Sequence, residues 1–192
     1  MSNSIIMQKY LLLILGVVFY TCMPIKEKAS DLAEVKRQFI LKKAAALDCI
    51  SKDTSLYAAE QAMLHKLEFL FYHTIPSDST ILSIEEENRV DSLERHYFTD
   101  VISLIQQYPV LQSGKLEMQD KKNKHVLAYT SFNENESLLT ILNLDEDNRA
   151  FVADYDFAKL ELLVGNYDIY FTPPSLKSLA LRPFEARVYK LK

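Results

Sequence analysis

The chain has 192 residues, 48% of them apolar, and a formal net charge of −4, which suffices for one substantial domain or two small ones. Its three glycines lie too far apart to form a loop that cradles phosphate, so nucleotide-binding folds that depend on such loops are excluded. The basic residues form no stripe interleaved with aromatics, and the cysteines and histidines lack metal-site spacings. We therefore expect no nucleic-acid partner, no metal and no cofactor.

Residues 1–22 are typical of a targeting segment. Lys9 precedes an apolar run at 10–20, which has the length of a signal-peptide core and is short for a membrane span. With Cys22 directly after it, the segment resembles a bacterial lipoprotein leader that places a lipid on Cys22. A cleaved leader and an uncleaved N-terminal anchor are the alternatives. We expect an exported bacterial protein, periplasmic, secreted or anchored as a lipoprotein, that meets the membrane only through the leader or this lipid.

Residues 30–109 are predicted to form two or three helices, because apolar side chains recur there at steps of three and four residues. In the first helix the predicted core positions are Leu32, Val35, Phe39 and Ala46. Its predicted solvent side carries Lys36, Arg37, Lys42 and Lys43. In the second helix the core positions are Leu56, Ala59, Met63, Leu67 and Leu70. In the last helix, at about 88–108, they are Val90, Leu93, Tyr97, Val101, Leu104 and Tyr108, and Pro109 ends it.

Residues 110–192 are predicted to form an antiparallel β-sandwich, because short runs rich in β-branched and aromatic residues alternate with turn clusters. The eight predicted strands cover 115–118, 125–132, 137–144, 150–153, 159–164, 168–172, 176–181 and 186–191. The acidic cluster at 145–148 lacks the spacing of a calcium loop and is interpreted as a hairpin turn. The sequence thus predicts an α+β fold, with helices first and strands after them.

A series of motifs follows in order between residues 97 and 191. They are a helix with a proline-containing link at 97–104 and 108–111 before Gly114, two strands at 126–129 and 138–144, the segment 160–166, and the closing segment 181–189. In this order they resemble the C-terminal portion of the α-amylase family of glycoside hydrolases, in which the last barrel helix leads into a Greek-key β-sandwich. The resemblance implies that sandwich here. Upstream, Ala59 stands where the family has glycine, and we predict a helix there rather than a barrel strand.

The resemblance also bears on catalysis. Glycoside hydrolysis requires two carboxyl groups across one bond, and in the family these lie on barrel strands upstream of the matched motifs. No position in this sequence matches them, so no catalytic residue is assigned. The resemblance implies an exported, truncated relative that is linked to carbohydrate metabolism and is non-catalytic by itself. The alternatives are a surface or periplasmic module that binds glycan or a partner protein through its helical half, and a remnant without selected activity.

The candidate ligand site is an aromatic platform near predicted strand ends. Tyr155, Tyr167 and Tyr170, together with Phe171, would stack on an α-glucan; alternatively, these side chains pack on the core with their hydroxyls reaching water. Other acidic residues are interpreted as structural. They are Glu85, Glu86, Glu87, Asp91 and Glu94 at the start of the last helix, and Asp100 in an i, i+4 pair with His96.

Overall fold

The computed structural model describes residues 31–50, 57–75, 92–167 and 177–191. Within these ranges it contains four α-helices, namely α1 (Leu32–Ile50), α2 (Tyr57–Thr74), α3 (Ser92–Gln107) and α4 (Val110–Ser113). Seven strands follow, namely β1 (Lys115–Met118), β2 (Val126–Phe132), β3 (Ser137–Asn143), β4 (Arg149–Val152), β5 (Glu161–Gly165), β6 (Ser178–Leu181) and β7 (Ala186–Lys190). The predicted α+β class, with helices before strands, is confirmed.

The strands agree closely with the predicted runs. Each of the seven begins and ends within two residues of its prediction, while the eighth predicted run, 168–172, lies outside the described residues. The stretch around Ala59, which forms the start of α2, is helical as expected. The last long helix, expected at about 88–108, is described over Ser92–Gln107.

The strands form two antiparallel sheets. One sheet has five strands in the order β1-β2-β3-β7-β5, and the other pairs β4 with β6. The turn at 145–148 therefore carries the chain from the first sheet to the second, and its interpretation as a hairpin turn was wrong. The reason is physical: turn residues such as Asp and Asn reverse the chain locally, but they do not determine which strand the next segment joins.

Both faces of the central strands are covered, because the helices pack on one face of the five-stranded sheet and the β4-β6 pair packs on the other. Along β2, Leu127 and Tyr129 belong to the helix-side core, whereas Val126 and Ala128 belong to the core between the sheets. This double burial explains why β2 and β3 are almost continuously apolar rather than alternating.

The helices share one hydrophobic core with the first sheet. Val35, Phe39 and Ala46 of α1 are buried as predicted, and the ring of Phe39 stacks on that of Phe71 in α2 with 3.6 Å between centroids. On α3, the Tyr97 hydroxyl donates to a backbone carbonyl of α2 at 2.9 Å. This core contains residues from both the predicted helical region at 30–109 and the predicted sandwich at 110–192. The division of the chain at residues 109 and 110 stays a prediction.

Lys42 corrects the predicted orientation of α1. We expected it on the solvent side, but its side chain is on the core face, three residues after Phe39, and the residue is only 7% exposed. Its ammonium group donates to the Asn123 carbonyl at 2.5 Å. Burial lowers the pKa of Lys42, and the nearby Asp120 partly opposes this effect. The four-carbon stem of lysine is apolar enough to occupy a core position when its charged end finds an acceptor.

Two tight contacts attach the helices to the sheet. Asp31 closes the outer edge of β1, since its backbone N–H donates to the Leu116 carbonyl at 3.0 Å and its carboxylate accepts from the Met118 N–H at 2.9 Å. At the link from α4 to β1, a Cβ on Gly114 would lie 2.4 Å from the Val110 carbonyl oxygen. Only glycine permits the backbone to approach so closely.

Candidate functional site

The turn that joins β6 to β7 contains a fully buried acid. We call residues 182–187 the terminal turn. Glu185 within it is 0% exposed, and one of its carboxylate oxygens accepts from the Arg182 backbone N–H at 2.6 Å. The other oxygen accepts from the Arg182 guanidinium at 3.1 Å and from two nitrogens of Arg187, Nε at 2.9 Å and Nη2 at 2.8 Å. A buried charge is costly unless it is paired and hydrogen-bonded, and the two arginines together offset that cost for Glu185.

Arg187 is as buried as the acid it pairs with. Its side chain is 4% exposed, and beyond Glu185 it donates to the Tyr189 hydroxyl at 3.1 Å and to the Ala180 carbonyl at 3.3 Å. Burial raises the pKa of the Tyr189 hydroxyl, although the hydrogen bond from Arg187 opposes that rise. The pair therefore ties β7 to β6 of the second sheet through a charged contact inside the protein.

Two buried asparagines hold the terminal turn from outside. The Asn143 side chain donates to the Arg182 carbonyl at 2.7 Å, and the Asn166 side chain donates to the Phe184 carbonyl at 2.7 Å while accepting from the Ala186 N–H at 2.8 Å. Phe184 between them has a φ of 51°, which is unusual for a residue with a bulky side chain. Such a conformation persists only where the surroundings determine it from several sides.

The residues that make these contacts lie in the motifs that carry the family resemblance. Asn143 lies in the motif 138–144, Asn166 ends the motif 160–166, and Glu185 and Arg187 lie in the closing segment 181–189. Segments far apart in sequence thus meet at one turn. Glu185 is held by the Arg182 backbone N–H and by two guanidinium groups, so its role here is to position the turn.

A second charged cluster lies at the turn 145–148, which carries the chain from the first sheet to the second. The imidazole Nδ1 of His125 contacts the carboxylate of Asp145, which also pairs with Arg149 at 2.9 Å. Burial by itself would raise the pKa of Asp145, but the Asp147 N–H, Arg149 and His125 together lower it. Of the described residues, no group of three or more His, Cys, Asp or Glu side chains is arranged to hold a metal ion.

The predicted acidic start of the last helix lies mostly outside the described residues. His96 and Asp100 are both exposed on α3. Elsewhere, contact with Arg37 and Gln38 lowers the pKa of Glu34 to about 2, and contact with Lys177 lowers the pKa of Asp154. Each of these shifts favours the ionised carboxylate, which is the opposite of what a general acid needs.

The predicted aromatic platform is described in part. Tyr155 is half-buried against Phe157, and its hydroxyl donates to the Gln119 side chain at 3.2 Å. Tyr167 is also half-buried, and its hydroxyl donates to the carbonyl of Pro183 in the terminal turn at 2.7 Å. Tyr170 and Phe171 lie outside the described residues, so the platform stays a prediction.

Tyr167 also carries a contact that the sequence did not reveal. The guanidinium carbon of Arg182 lies 3.6 Å from the centre of the Tyr167 ring, which is the geometry of a cation–π interaction. Burial raises the pKa of Tyr167. This ring is therefore held in place next to the terminal turn.

Comparison with known proteins confirms the resemblance to the C-terminal portion of the α-amylase family of glycoside hydrolases, over about half of the chain. The relatives in question include oligo-1,6-glucosidases. The enzyme of Parageobacillus thermoglucosidasius is 34% identical over 99 residues, which is 50% of this chain and 17% of the relative. That of Heyndrickxia coagulans is 34% identical over 96 residues, which is 50% of this chain and 16% of the relative. The chain thus spans about a sixth of the length of the curated relatives it matches.

Solved structures of similar proteins include isomaltulose synthase from Klebsiella sp. LX3. It is 25% identical and aligns with 58% of this chain and 20% of that enzyme, with a TM-score of 0.46. No protein-family model matches the chain.

Proposed function

We propose that this protein is a non-catalytic module of carbohydrate metabolism that binds α-glucan. The observation that carries the non-catalytic part is the pairing of Glu185: the most deeply buried carboxylate among the described residues is bound by Arg182 and Arg187. The sequence relationship to oligo-1,6-glucosidases supports the link to α-glucosidic substrates. The terminal turn joins the two sheets of the sandwich, and no pair of catalytic carboxylates is assigned in the sequence. A module that binds glycan without cleaving it needs the folded sandwich but not those carboxylates.

The non-catalytic part of the proposal is tested by an assay for reducing sugar. Purified protein is incubated with starch and with maltooligosaccharides, and no release of reducing ends is expected. Turnover by the wild-type protein that survives repeated purification would overturn the proposal that the module is non-catalytic.

The binding part is tested on the two described tyrosines. Isothermal titration with maltoheptaose is expected to show binding that falls about tenfold or more in Tyr155→Ala and Tyr167→Ala, because stacking on a ring is lost. The phenylalanine variants keep the ring and should keep most of the affinity. Tyr72→Ala is the matched control, since Tyr72 is an exposed tyrosine on α2. Equal affinity of all variants would contradict a role for Tyr155 and Tyr167.

The proposed location is outside the bacterial cytoplasm, with a lipid on Cys22. Lys9 and the apolar run at 10–20 support it, as does the position of Cys22 directly after that run. None of the helices among the described residues combines the length and the apolarity needed to cross a membrane. Metabolic labelling with a fatty-acid analogue is expected to mark the protein, and Cys22→Ala should abolish the label while Cys49→Ala keeps it. Labelling that survives Cys22→Ala would exclude this site.

A second candidate function is an interaction module that binds a protein through its helical half. One observation favours it: α1 exposes large apolar side chains, with Ile40 62% and Leu41 54% exposed. Exposed apolar side chains that lie together commonly mark a surface that another molecule covers.

A further inference from the structure

Four hydroxyl groups lie in the core between the helices and the five-stranded sheet, and we call them the hydroxyl cluster. They belong to Thr74 at the end of α2, to Tyr129 and Ser131 on β2, and to Thr140 on β3. Each of these four residues is 0% exposed. Thr140 lies directly opposite Tyr129 in the pairing of β2 with β3, and Ser131 lies two residues further along β2, on the same face of the sheet.

The hydroxyls of Thr74 and Tyr129 account for each other. The Thr74 hydroxyl donates to the Leu70 carbonyl at 2.8 Å, and its oxygen lies 2.7 Å from the Tyr129 hydroxyl. Because a hydroxyl carries a single hydrogen, the hydrogen of this second bond comes from Tyr129. The Tyr129 oxygen therefore has no further hydrogen to donate, but it can still accept one.

The hydroxyls of Ser131 and Thr140 are in a different position, because neither has a hydrogen-bond partner among the described residues. Thr140 lies near enough to Tyr129 to oppose the rise that burial causes in the pKa of the Tyr129 hydroxyl, but the two hydroxyls do not have hydrogen-bond geometry. Buried polar groups are nearly always paired, either with protein or with an ordered water molecule. A group that accepts from both hydroxyls is therefore required.

We propose that a single water molecule binds between Ser131 and Thr140 inside this core. It accepts from both hydroxyls and donates to the Tyr129 oxygen, which gives the three hydrogen bonds typical of a buried water. The spacing fits, because diagonal side chains of an antiparallel pair lie about 7 Å apart and their hydroxyls can approach to roughly 5.6 Å, the length of two hydrogen bonds. The cluster contains no carboxylate, so it suits a neutral ligand rather than a cation.

A high-resolution crystal structure of the protein tests the site directly. We expect one ordered water within hydrogen-bond distance of both Ser131 Oγ and Thr140 Oγ1. The water should be absent from Thr140→Val, which keeps the shape of the side chain and removes its hydroxyl. Hydroxyls that bond each other or a backbone carbonyl, with no water between them, would overturn the proposal.

Urea unfolding tests the site in solution, because a paired and an unpaired Thr140 hydroxyl predict opposite signs. With the water bound, Thr140→Val removes a buried hydrogen bond and should lower the urea midpoint by about 0.5 M. An unpaired buried hydroxyl is itself destabilising, so a midpoint that is raised or unchanged would overturn the proposal. Thr130→Val is the matched control with a similar expected loss, because Thr130 is a buried threonine whose hydroxyl accepts from the Gln119 side chain at 2.8 Å.

The double variant of Ser131→Ala and Thr140→Val tests whether the two hydroxyls share one water. Either single change leaves that water with fewer partners, so the double variant should lower the midpoint by less than the sum of the two single shifts. A direct bond between Thr140 and Tyr129 would instead leave Ser131 uncoupled. Additive shifts would therefore overturn the shared water.

Discussion

Replacing Glu185 with glutamine tests whether the buried charge pair holds the terminal turn. The substitution keeps the size of the side chain and removes its charge. Arg187, with a side chain only 4% exposed, would then keep its positive charge without the carboxylate that faces it at 2.8 Å and 2.9 Å. Loss of one partner from a buried ion pair costs about 3 to 5 kcal/mol, because the remaining charge is left buried. We expect the lower end of this range, about 3 kcal/mol, since the glutamine oxygen still accepts a hydrogen bond.

Urea unfolding followed by circular dichroism measures this loss. With a denaturant dependence of about 2 kcal/mol per molar, the midpoint of Glu185→Gln should fall by about 1.5 M. Glu134→Gln is the control, because Glu134 is exposed in the β2–β3 turn and its replacement should change stability by less than about 0.5 kcal/mol. Combined with Arg187→Met, Glu185→Gln should cost less than the sum of the single changes by about 1 to 3 kcal/mol. A loss below about 1 kcal/mol for Glu185→Gln would refute this account of the turn.

Three further predictions concern other parts of the fold. Gly114→Ala should cost about 1 to 3 kcal/mol, because the new Cβ would lie 2.4 Å from the Val110 carbonyl oxygen; unchanged thermal stability would contradict this close approach. Tyr129→Phe should cost about 1 kcal/mol in urea unfolding, because the buried Thr74 hydroxyl loses a hydrogen bond of 2.7 Å, and a neutral result would show that the bond contributes nothing. The pKa of Asp145 is lowered in the folded state from its ordinary value of 3.8, so its contribution to stability is present above about pH 4 and is lost as the pH falls through the lowered value. Asp145→Asn should therefore flatten the decline of the free energy of unfolding below that pH, and an unchanged decline would argue against the lowered pKa.

The period of apolar residues was a reliable guide where one face of an element is buried. On α1 it correctly predicted that Val35, Phe39 and Ala46 face the core. The spacing failed at Ala59, which was predicted to be a core position and is exposed. At Lys42 the prediction followed charge instead of spacing, and this residue is buried. The apolar residues Ile40 and Leu41 do not have the spacing of the predicted core positions, and both are exposed.

The candidate site was less predictable than the elements around it. The tyrosines were singled out because they lie near strand ends, but a strand pattern does not show that the Tyr167 ring is held under Arg182. The Glu185 and Arg187 pair appeared in the sequence only as part of a family-like motif. Its role depends on the burial of Glu185 in the turn between β6 of one sheet and β7 of the other, and a local sequence pattern does not predict that burial.

The sequence by itself determined the order of helices and strands, the close limits of seven strands, and the resemblance of the motifs between residues 97 and 191. These features depend on side-chain period and turn residues, which act over a few positions. The tertiary structure decided which strands pair, that the chain changes sheets at 145–148, and that the buried Glu185 meets two arginines. It also joined Asn143 to Arg182, 39 residues apart. Such contacts follow from the way whole layers pack, so short-range patterns do not contain them.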